Sequence, residues 1–307
     1  MDGLILVDKP QGATSHDIVA RIRKILRIER VGHFGTLDPL ATGLLLVAVG
    51  KATKLFPFFS KTNKLYSGQI RLGFSTDTYD ALGKPTSGEK TRFPDRAILA
   101  KAMNTFVGKI DQIPPPYSAK KFKGKPLYKL ARAKKITPLR PNPVCVYAFD
   151  LKEYSPPLLD FESKCSSGTY IRSLAHDLGE SLGCGAHLAS LRRLAAGGYT
   201  LSSSHSLEQI EQLAQDGKIP GFLLPLEALL QEHPKIILKE SGVRELQKGK
   251  VLSAEGIFKL LEPGPSLSPG DKEEEAVYRL FSLEGKFLAL AKKGQGQKWL
   301  VPFVLLS

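Results

Sequence analysis

Val31-Gly-His-Phe-Gly-Thr-Leu-Asp-Pro-Leu-Ala-Thr-Gly-Leu-Leu-Leu-Val-Ala-Val-Gly50 sets one carboxylate, Asp38, in a glycine-punctuated turn directly before a run of aliphatic residues. Pro39 biases Asp38 away from helical dihedrals. Gly32, Gly35 and Gly43 permit tight turns or close backbone approach, and Leu44 to Val49 reads as a strand buried on both faces. An acid held at the edge of a core can act as a nucleophile or accept a proton. The same Asp-Pro pair also starts ordinary turns, so the spacing alone leaves a structural role open. Elsewhere in the chain, Gly168-Thr-Tyr-Ile-Arg172 enters a helix. There Tyr170 and Arg172 sit at the mouth of a helix, where the positive end of the dipole disfavours an arginine unless an acid partners it.

The elements that must position these groups are legible from periodicity. Gly3 to Asp8 reads as a short strand, Lys9-Pro10-Gln-Gly12 as a turn, and Thr14 or Ser15 as the cap of a helix whose stripe is Ile18, Val19, Ile22, Ile25 and Leu26. Leu65 to Gly73 alternates as a strand, placing Tyr66 on one face with Gly68, Ile70 and Leu72. Asp95 opens a helix over 94–107, strands are expected at 144–151 and 160–165, and the helix entered at Ser167 runs to Gly183. His187 to Leu194 reads as a second short helix and Leu207 to Ala214 as a third. A composition shift at 230–234 suggests a boundary, beyond which short strand-like pieces at 235–239, 276–282, 287–291 and 300–305 form a small, mostly β module.

Bulk composition narrows the function classes. The 307 residues are 42% hydrophobic, enough for a substantial core. No 18-residue apolar segment and no signal-like N-terminus appear, which reads as a cytoplasmic protein without a membrane partner. Cys145, Cys165 and Cys184 have neither disulfide nor zinc spacing, so no metal is expected. The formal net charge of +14 points to a polyanionic partner. Its surplus lies in residues 1–230, with 32 basic against 20 acidic residues, while 231–307 hold 12 against 10. Between Ile113 and Phe149 there are nine basic residues, Lys120, Lys121, Lys123 and Lys125 among them, and no acid. Tyr117, Phe122, Tyr128 and Tyr147 interleave with them, supplying phosphate neutralisation together with π-faces for unstacked bases. Pro114-Pro-Pro and Pro138, Pro141 and Pro143 bracket this stretch as a projecting nucleic-acid arm.

Taken together, Lys9-Pro-x-Gly12, Gly-His-x-Gly-Thr-Leu-Asp-Pro-Leu-Ala-Thr-Gly, Lys64-Leu-Tyr66, Pro-Pro-x-Tyr117-Ser-Ala, Gly168-Thr-Tyr-Ile-Arg172 and Leu191-Arg-Arg-Leu closely resemble the bacterial tRNA pseudouridine synthase B family. That family isomerises the uridine at position 55 in the TΨC arm of tRNA. The resemblance implies a mixed α/β catalytic fold over residues 1–230, built on a long bent, mainly antiparallel sheet. It also implies an inserted thumb at about 114–143 and a small C-terminal PUA-like RNA-binding domain over 235–307.

It further implies that Asp38 is the essential aspartate, Tyr66 the tyrosine that stacks on the target base and shares in proton removal, and Arg172 the partner of the aspartate. Tyr170 and Leu191 become pocket residues, His33 the histidine that fills the space left by the extruded nucleotide, and Lys9 and Pro10 supports of the catalytic loop. Phe34 departs from the pattern, which more often has threonine there. The implied reaction is an aspartate-dependent C–N cleavage and C–C rejoining on a flipped-out uridine, with assistance to tRNA folding as an accompanying activity. It carries no net redox change, and no cofactor, no obligatory protein partner and a monomer are expected. An RNA-binding folding factor whose chemistry is secondary is the alternative class.

Overall fold

The computed structural model describes residues 1–118, 121–122, 124–126, 140–261, 276–293 and 300–306. Lys120 and Lys123 lie outside the described residues, as do the side chains of Lys121 and Lys125, whose backbone belongs to a short two-stranded hairpin.

In chain order the strands are β1 (Gly3–Lys9), β2 (Val31–His33), β3 (Thr42–Val49), β4 (Lys64–Leu72), β5 (Gly108–Gln112), β6 (Lys121–Phe122), β7 (Lys125–Pro126), β8 (Asn142–Ser155), β9 (Leu158–Cys165), β10 (Ala186–Ala196), β11 (Tyr199–Thr200) and β12 (Leu223–Pro225). The C-terminal strands are β13 (Lys235–Leu238), β14 (Ile257–Leu261), β15 (Val277–Phe281), β16 (Phe287–Lys293) and β17 (Leu300–Leu305). The helices are α1 (Ser15–Leu26), α2 (Phe56–Ser60), α3 (Arg96–Asn104), α4 (Ile171–Ser181), α5 (Leu207–Gln215) and α6 (Glu240–Gln247).

The main sheet runs β12-β1-β3-β10-β4-β9-β8-β5, with β2 beside β3 and β11 beside β10. All its pairs are antiparallel except β3 with β10, which are parallel and set Arg192 and Arg193 beside Thr42 and Gly43. A second, five-stranded sheet, β14-β13-β15-β16-β17, closes the C-terminus. The fold is therefore mixed α/β with a C-terminal β-rich domain, as the sequence reading expects.

Strands β1 and β3 show why their sequences are continuously apolar. Ile5, Val7, Leu45, Val47 and Val49 face a core shared with Ile18 and Ile22 of α1 and Leu174 and Leu178 of α4. Leu4, Leu6, Leu44, Leu46 and Ala48 face a second core completed by Phe281, Phe287, Leu290 and Leu306 of the C-terminal part. A period-two strand with both faces covered must be apolar at every position.

The segment read as a helix at 187–194 is instead strand β10. Leu188, Leu191 and Leu194 fall three apart, which mimics a helical stripe. Two register irregularities, between Leu188 and Ser190 and between Arg193 and Ala195, break the period of two in its pairing with β4. Long-range pairing on both edges overrides local propensity there. The sequence reading also passes over α6 and β14.

Candidate active site

Asp38 lies in the loop between β2 and β3, and three neighbouring segments fix that loop. Ser15, at the start of α1, accepts from the Leu37 N–H at 2.9 Å and donates to the Leu37 carbonyl at 3.2 Å. Gly12 of the Lys9-Pro-x-Gly turn donates to the Pro39 carbonyl at 2.8 Å, and the Ala41 N–H closes the turn on the Asp38 carbonyl at 3.0 Å. The Thr14–Asp17 capping box sets the first turn of α1 and hence Ser15. On the other side of the loop, Phe34 is buried and stacked on Phe59 with ring centroids 5.0 Å apart. The departure from threonine therefore anchors the loop by its apolar side.

Arg172 enters from the first turn of α4. Its Nη2 donates to Asp38 Oδ1 at 3.0 Å and its Nε stands 2.9 Å from Oδ2. Nη1 donates to the Thr78 carbonyl at 3.0 Å and lies 3.6 Å from Asp80 Oδ2, and Nη2 also donates to the Tyr117 carbonyl at 3.0 Å. The guanidinium is buried, yet Asp38 keeps 36% of its side chain exposed. That combination suits a reactive group: the cation orients and stabilises an ionised carboxylate that still faces open space. Asp80 is itself held by the Thr78 hydroxyl at 2.6 Å and the Leu82 N–H at 3.1 Å. Two carboxylates thus compensate one arginine at a helix start, where an unpaired cation would be unfavourable.

A cavity of about 240 Å³ opens in front of Asp38, lined also by Tyr66, Tyr170, Arg172 and Leu191. Gln112 positions Tyr170 by pairing with its backbone in both directions, accepting from N–H at 2.7 Å and donating to C=O at 3.0 Å. Burial pushes the Tyr66 phenol above its ordinary pKa, and the nearby Arg193 guanidinium opposes that rise. Burial likewise raises the Tyr170 phenol. Both hydroxyls are therefore held protonated near neutral pH.

Of the other expected site residues, Lys9 is fully buried behind the loop, its Nζ donating to the carbonyls of Pro10 at 2.8 Å and Ala13 at 2.7 Å. Burial pulls its pKa down to about 8, against the favourable field of Asp38. Pro10 is exposed. His33 ends β2 outside the cavity lining, packs edge-on against His16 with centroids 5.5 Å apart, and is held neutral by burial, its pKa lowered to about 4.

Sequence reasoning misses Lys64, Asp80, Gln112 and Arg193 as members of this constellation. Lys64 carried a usable signal, standing two residues before Tyr66 on one strand face. Arg193 carried none, because its placement depends on β10 being a strand. Its Nε donates to the Leu44 carbonyl at 2.7 Å and its Nη2 to the Gly35 carbonyl at 3.1 Å, so it ties both ends of the Asp38 loop to the sheet. Gly43 permits that approach: its φ is +95°, and a Cβ there would overlap the Arg193 carbonyl and stand 2.8 Å from its nitrogen. Among the described residues, no cluster of His, Cys, Asp and Glu could hold a metal ion, and no helix is long and apolar enough to cross a membrane.

The chain is similar to known proteins over most of its length. The model for the N-terminal domain of TruB family pseudouridylate synthases matches residues 23–171, and that for the tRNA pseudouridylate synthase B C-terminal domain matches 172–231. A tRNA pseudouridine synthase B from Solibacter usitatus is 43% identical over 250 residues, covering 81% of this chain and 85% of its own. The chain belongs to the TruB family of pseudouridylate synthases. It is a pseudouridine synthase, and RNA is its substrate. Another member, the tRNA pseudouridine synthase B of Dehalococcoides mccartyi, is 42% identical over 299 residues, covering 97% of this chain and 95% of its own.

Among solved structures, a chain of a Cbf5–Nop10–Gar1 complex superposes with a TM-score of 0.73 at 29% identity, over 98% of this chain and 83% of that one. A chain of an H/ACA RNP bound to a substrate RNA containing 2′-deoxyuridine superposes with a TM-score of 0.72 at 25% identity, over 99% and 85%. The TruB fold is thus shared over nearly the whole chain.

Proposed function

We propose that this chain isomerises uridine 55 to pseudouridine in the TΨC arm of tRNA, with Asp38 as the catalytic carboxylate. The observation that carries the reading is the half-open Asp38 side chain, clamped by Arg172 in a cavity walled by Tyr66, Tyr170 and Leu191. A paired, stacked uridine must leave its stack to reach that carboxylate, at a cost of about a few kcal/mol. Stacking on Tyr66 recovers about 1–3 kcal/mol of it. Because burial keeps the phenol protonated, stacking is the better supported of the two roles for Tyr66.

Asp38 then breaks the C1′–N1 bond by attack at C1′, by addition to the base, or by taking the 2′ proton. Each route moves negative charge onto the pyrimidine before C5 joins C1′ and the C5 proton is exchanged for one on N1. Lys9 and Pro10 support the loop, and His33 fills the space the nucleotide vacates. The thumb at about 114–143 and a PUA-like domain over 235–307 grip the RNA backbone and shape, and this hold on tRNA assists its folding. The enzyme works as a cytoplasmic monomer without cofactor.

Tritium release from 5-labelled uridine in a tRNA transcript, with carbodiimide mapping of the product, tests this reading. Release with an adduct at position 55 is expected, and release without one there would contradict the site assignment. The structural neighbours belong to multi-protein assemblies, so independence from partners needs its own test. Activity of the purified chain on a bare hairpin of about 17 nucleotides is expected, and strict dependence on an added RNA or protein would overturn it. Neutralising Lys120, Lys121, Lys123 and Lys125 together should weaken tRNA binding and flatten its salt dependence.

A further inference from the structure

Charge in the cavity is unevenly compensated. Asp38 and Asp80 both engage Arg172. Two further cations line the same cavity, Lys64 and Arg193, both nearly fully buried. Neither has a carboxylate partner among the described residues. Lys64 Nζ donates to the Ser60 carbonyl at 3.0 Å and the Thr62 carbonyl at 2.5 Å, and Arg193 donates to the Leu44 and Gly35 carbonyls. Arg193 stands across from Tyr66 in the β4–β10 register, beside the ring on which the base would stack.

Buried cations without anions are costly, at about several kcal/mol each, and cavities seldom keep two of them unless a negative charge arrives. Lys64 shows the strain, since burial and then the Arg193 charge lower its pKa to about 8. The neighbouring Cys165 gives no relief, because burial lifts its thiol to about 11 and leaves it neutral.

We propose that Arg193 and Lys64 form a preorganised positive field that stabilises the pyrimidine anion formed during the isomerisation, Arg193 also acting as a positioning residue for the Asp38 loop. This rests on the reading of Asp38 as the catalytic carboxylate. When the C1′–N1 bond breaks heterolytically, N1 keeps the bonding pair and the uracil becomes an anion, while C1′ is captured by the Asp38 oxygen or the 2′ proton passes to it. The charge disappears when C5 bonds to C1′, the Asp38 carboxylate leaves C1′ or returns its proton to C2′, the C5 proton passes to solvent and N1 takes a proton from solvent. No oxidant, reductant or further reactant is needed. Fixed cations aimed at charge that exists only during the reaction accelerate it without tightening ground-state binding.

Single-turnover kinetics on the tRNA transcript test this with Arg193→Gln, Arg193→Lys and Lys64→Gln, alongside RNA affinity and melting temperature. Arg193→Gln should slow base conversion about 100-fold and Lys64→Gln about 10-fold, with RNA affinity within about threefold of wild type. Arg193→Lys should recover part of the loss. Consumption of 5-fluorouridine, whose ring holds negative charge better, should suffer less than consumption of uridine in both Gln variants. Lys64→Gln, which leaves the Asp38 loop's bonds intact, keeps the test open if Arg193→Gln fails to fold.

Equal defects on the two bases, or wild-type rates in both Gln variants, would overturn the proposal. So would a loss confined to RNA affinity with a flatter salt dependence, which would assign these charges to a backbone phosphate. Any of these results alongside normal, Asp38-dependent activity of the wild type leaves the reading of Asp38 standing. A wild-type protein that forms no pseudouridine would instead sink that reading.

Discussion

The two walls of the cavity hold arginines of opposite circumstance. On the α4 wall, Arg172 meets Asp38 at 2.9 Å and Asp80 at 3.6 Å, and its charge is fully answered. On the β10 wall, Arg193 is held by backbone carbonyls at 2.7 and 3.1 Å and by the Tyr66 hydroxyl, with no carboxylate partner among the described residues. The same residue type thus serves two ends: a guanidinium shared between carboxylates orients an acid, while one bonded to carbonyls braces a loop and leaves its charge available to the cavity.

The sharpest way to separate the walls is to remove Arg172. Arg172→Met should lower pseudouridine formation about 1000-fold and cost about 3 kcal/mol of stability, because it leaves the buried Asp80 without a cation. Arg172→Lys should recover charge but not the fork geometry, and fall between. If Arg172→Met were as active as wild type in the tritium-release assay, the contrast between the walls would collapse.

A smaller effect tests the bracing role of the β10 wall. Gly43→Ala forces an L side chain to φ +95° against the Arg193 backbone. It should cost about 2 kcal/mol and lower the melting temperature by about 5 °C, while slowing catalysis through displacement of the Asp38 loop. An unchanged melting curve would show that the β3–β10 approach tolerates a Cβ.

Smallest is a pH effect behind the loop. Lys9 has its folded pKa near 8 against an ordinary 10.5, so between these values the unfolded chain binds more protons and the Lys9 contribution to stability rises with pH. Below pH 8 its burial penalty is fully felt. Chemical denaturation at pH 8 and pH 10 should therefore show wild type gaining about 1–2 kcal/mol relative to Lys9→Met over that interval. A difference that stays constant would mean that Lys9 is not desolvated by the loop.

The two walls also differ in how far the sequence revealed them. Asp38, Tyr66, Tyr170 and Arg172 are legible as candidates because they sit in segments with local logic: a Pro-biased turn, an alternating strand, a helix mouth; Leu191 is reached only through the family resemblance. All five line the one cavity. Arg193 is not legible there, because a buried cation bonded to carbonyls has no sequence signature and bulges in β10 disguise a strand as a helix; Lys64, on the strand face of Tyr66, is open to that inference. Asp80 lies in a polar loop whose folding onto Arg172 is a tertiary event. The main-sheet order was equally hidden, since the parallel β3–β10 contact joins segments separated by about 150 residues.

The most direct test of the central claim is Asp38→Asn, assayed by carbodiimide mapping of pseudouridine in a tRNA transcript. Arg172 keeps Asp80 in this variant, so fold and RNA affinity should stay near wild type, while product formation should fall at least about 10⁴-fold. Pseudouridine formed by Asp38→Asn at the wild-type rate would contradict the account.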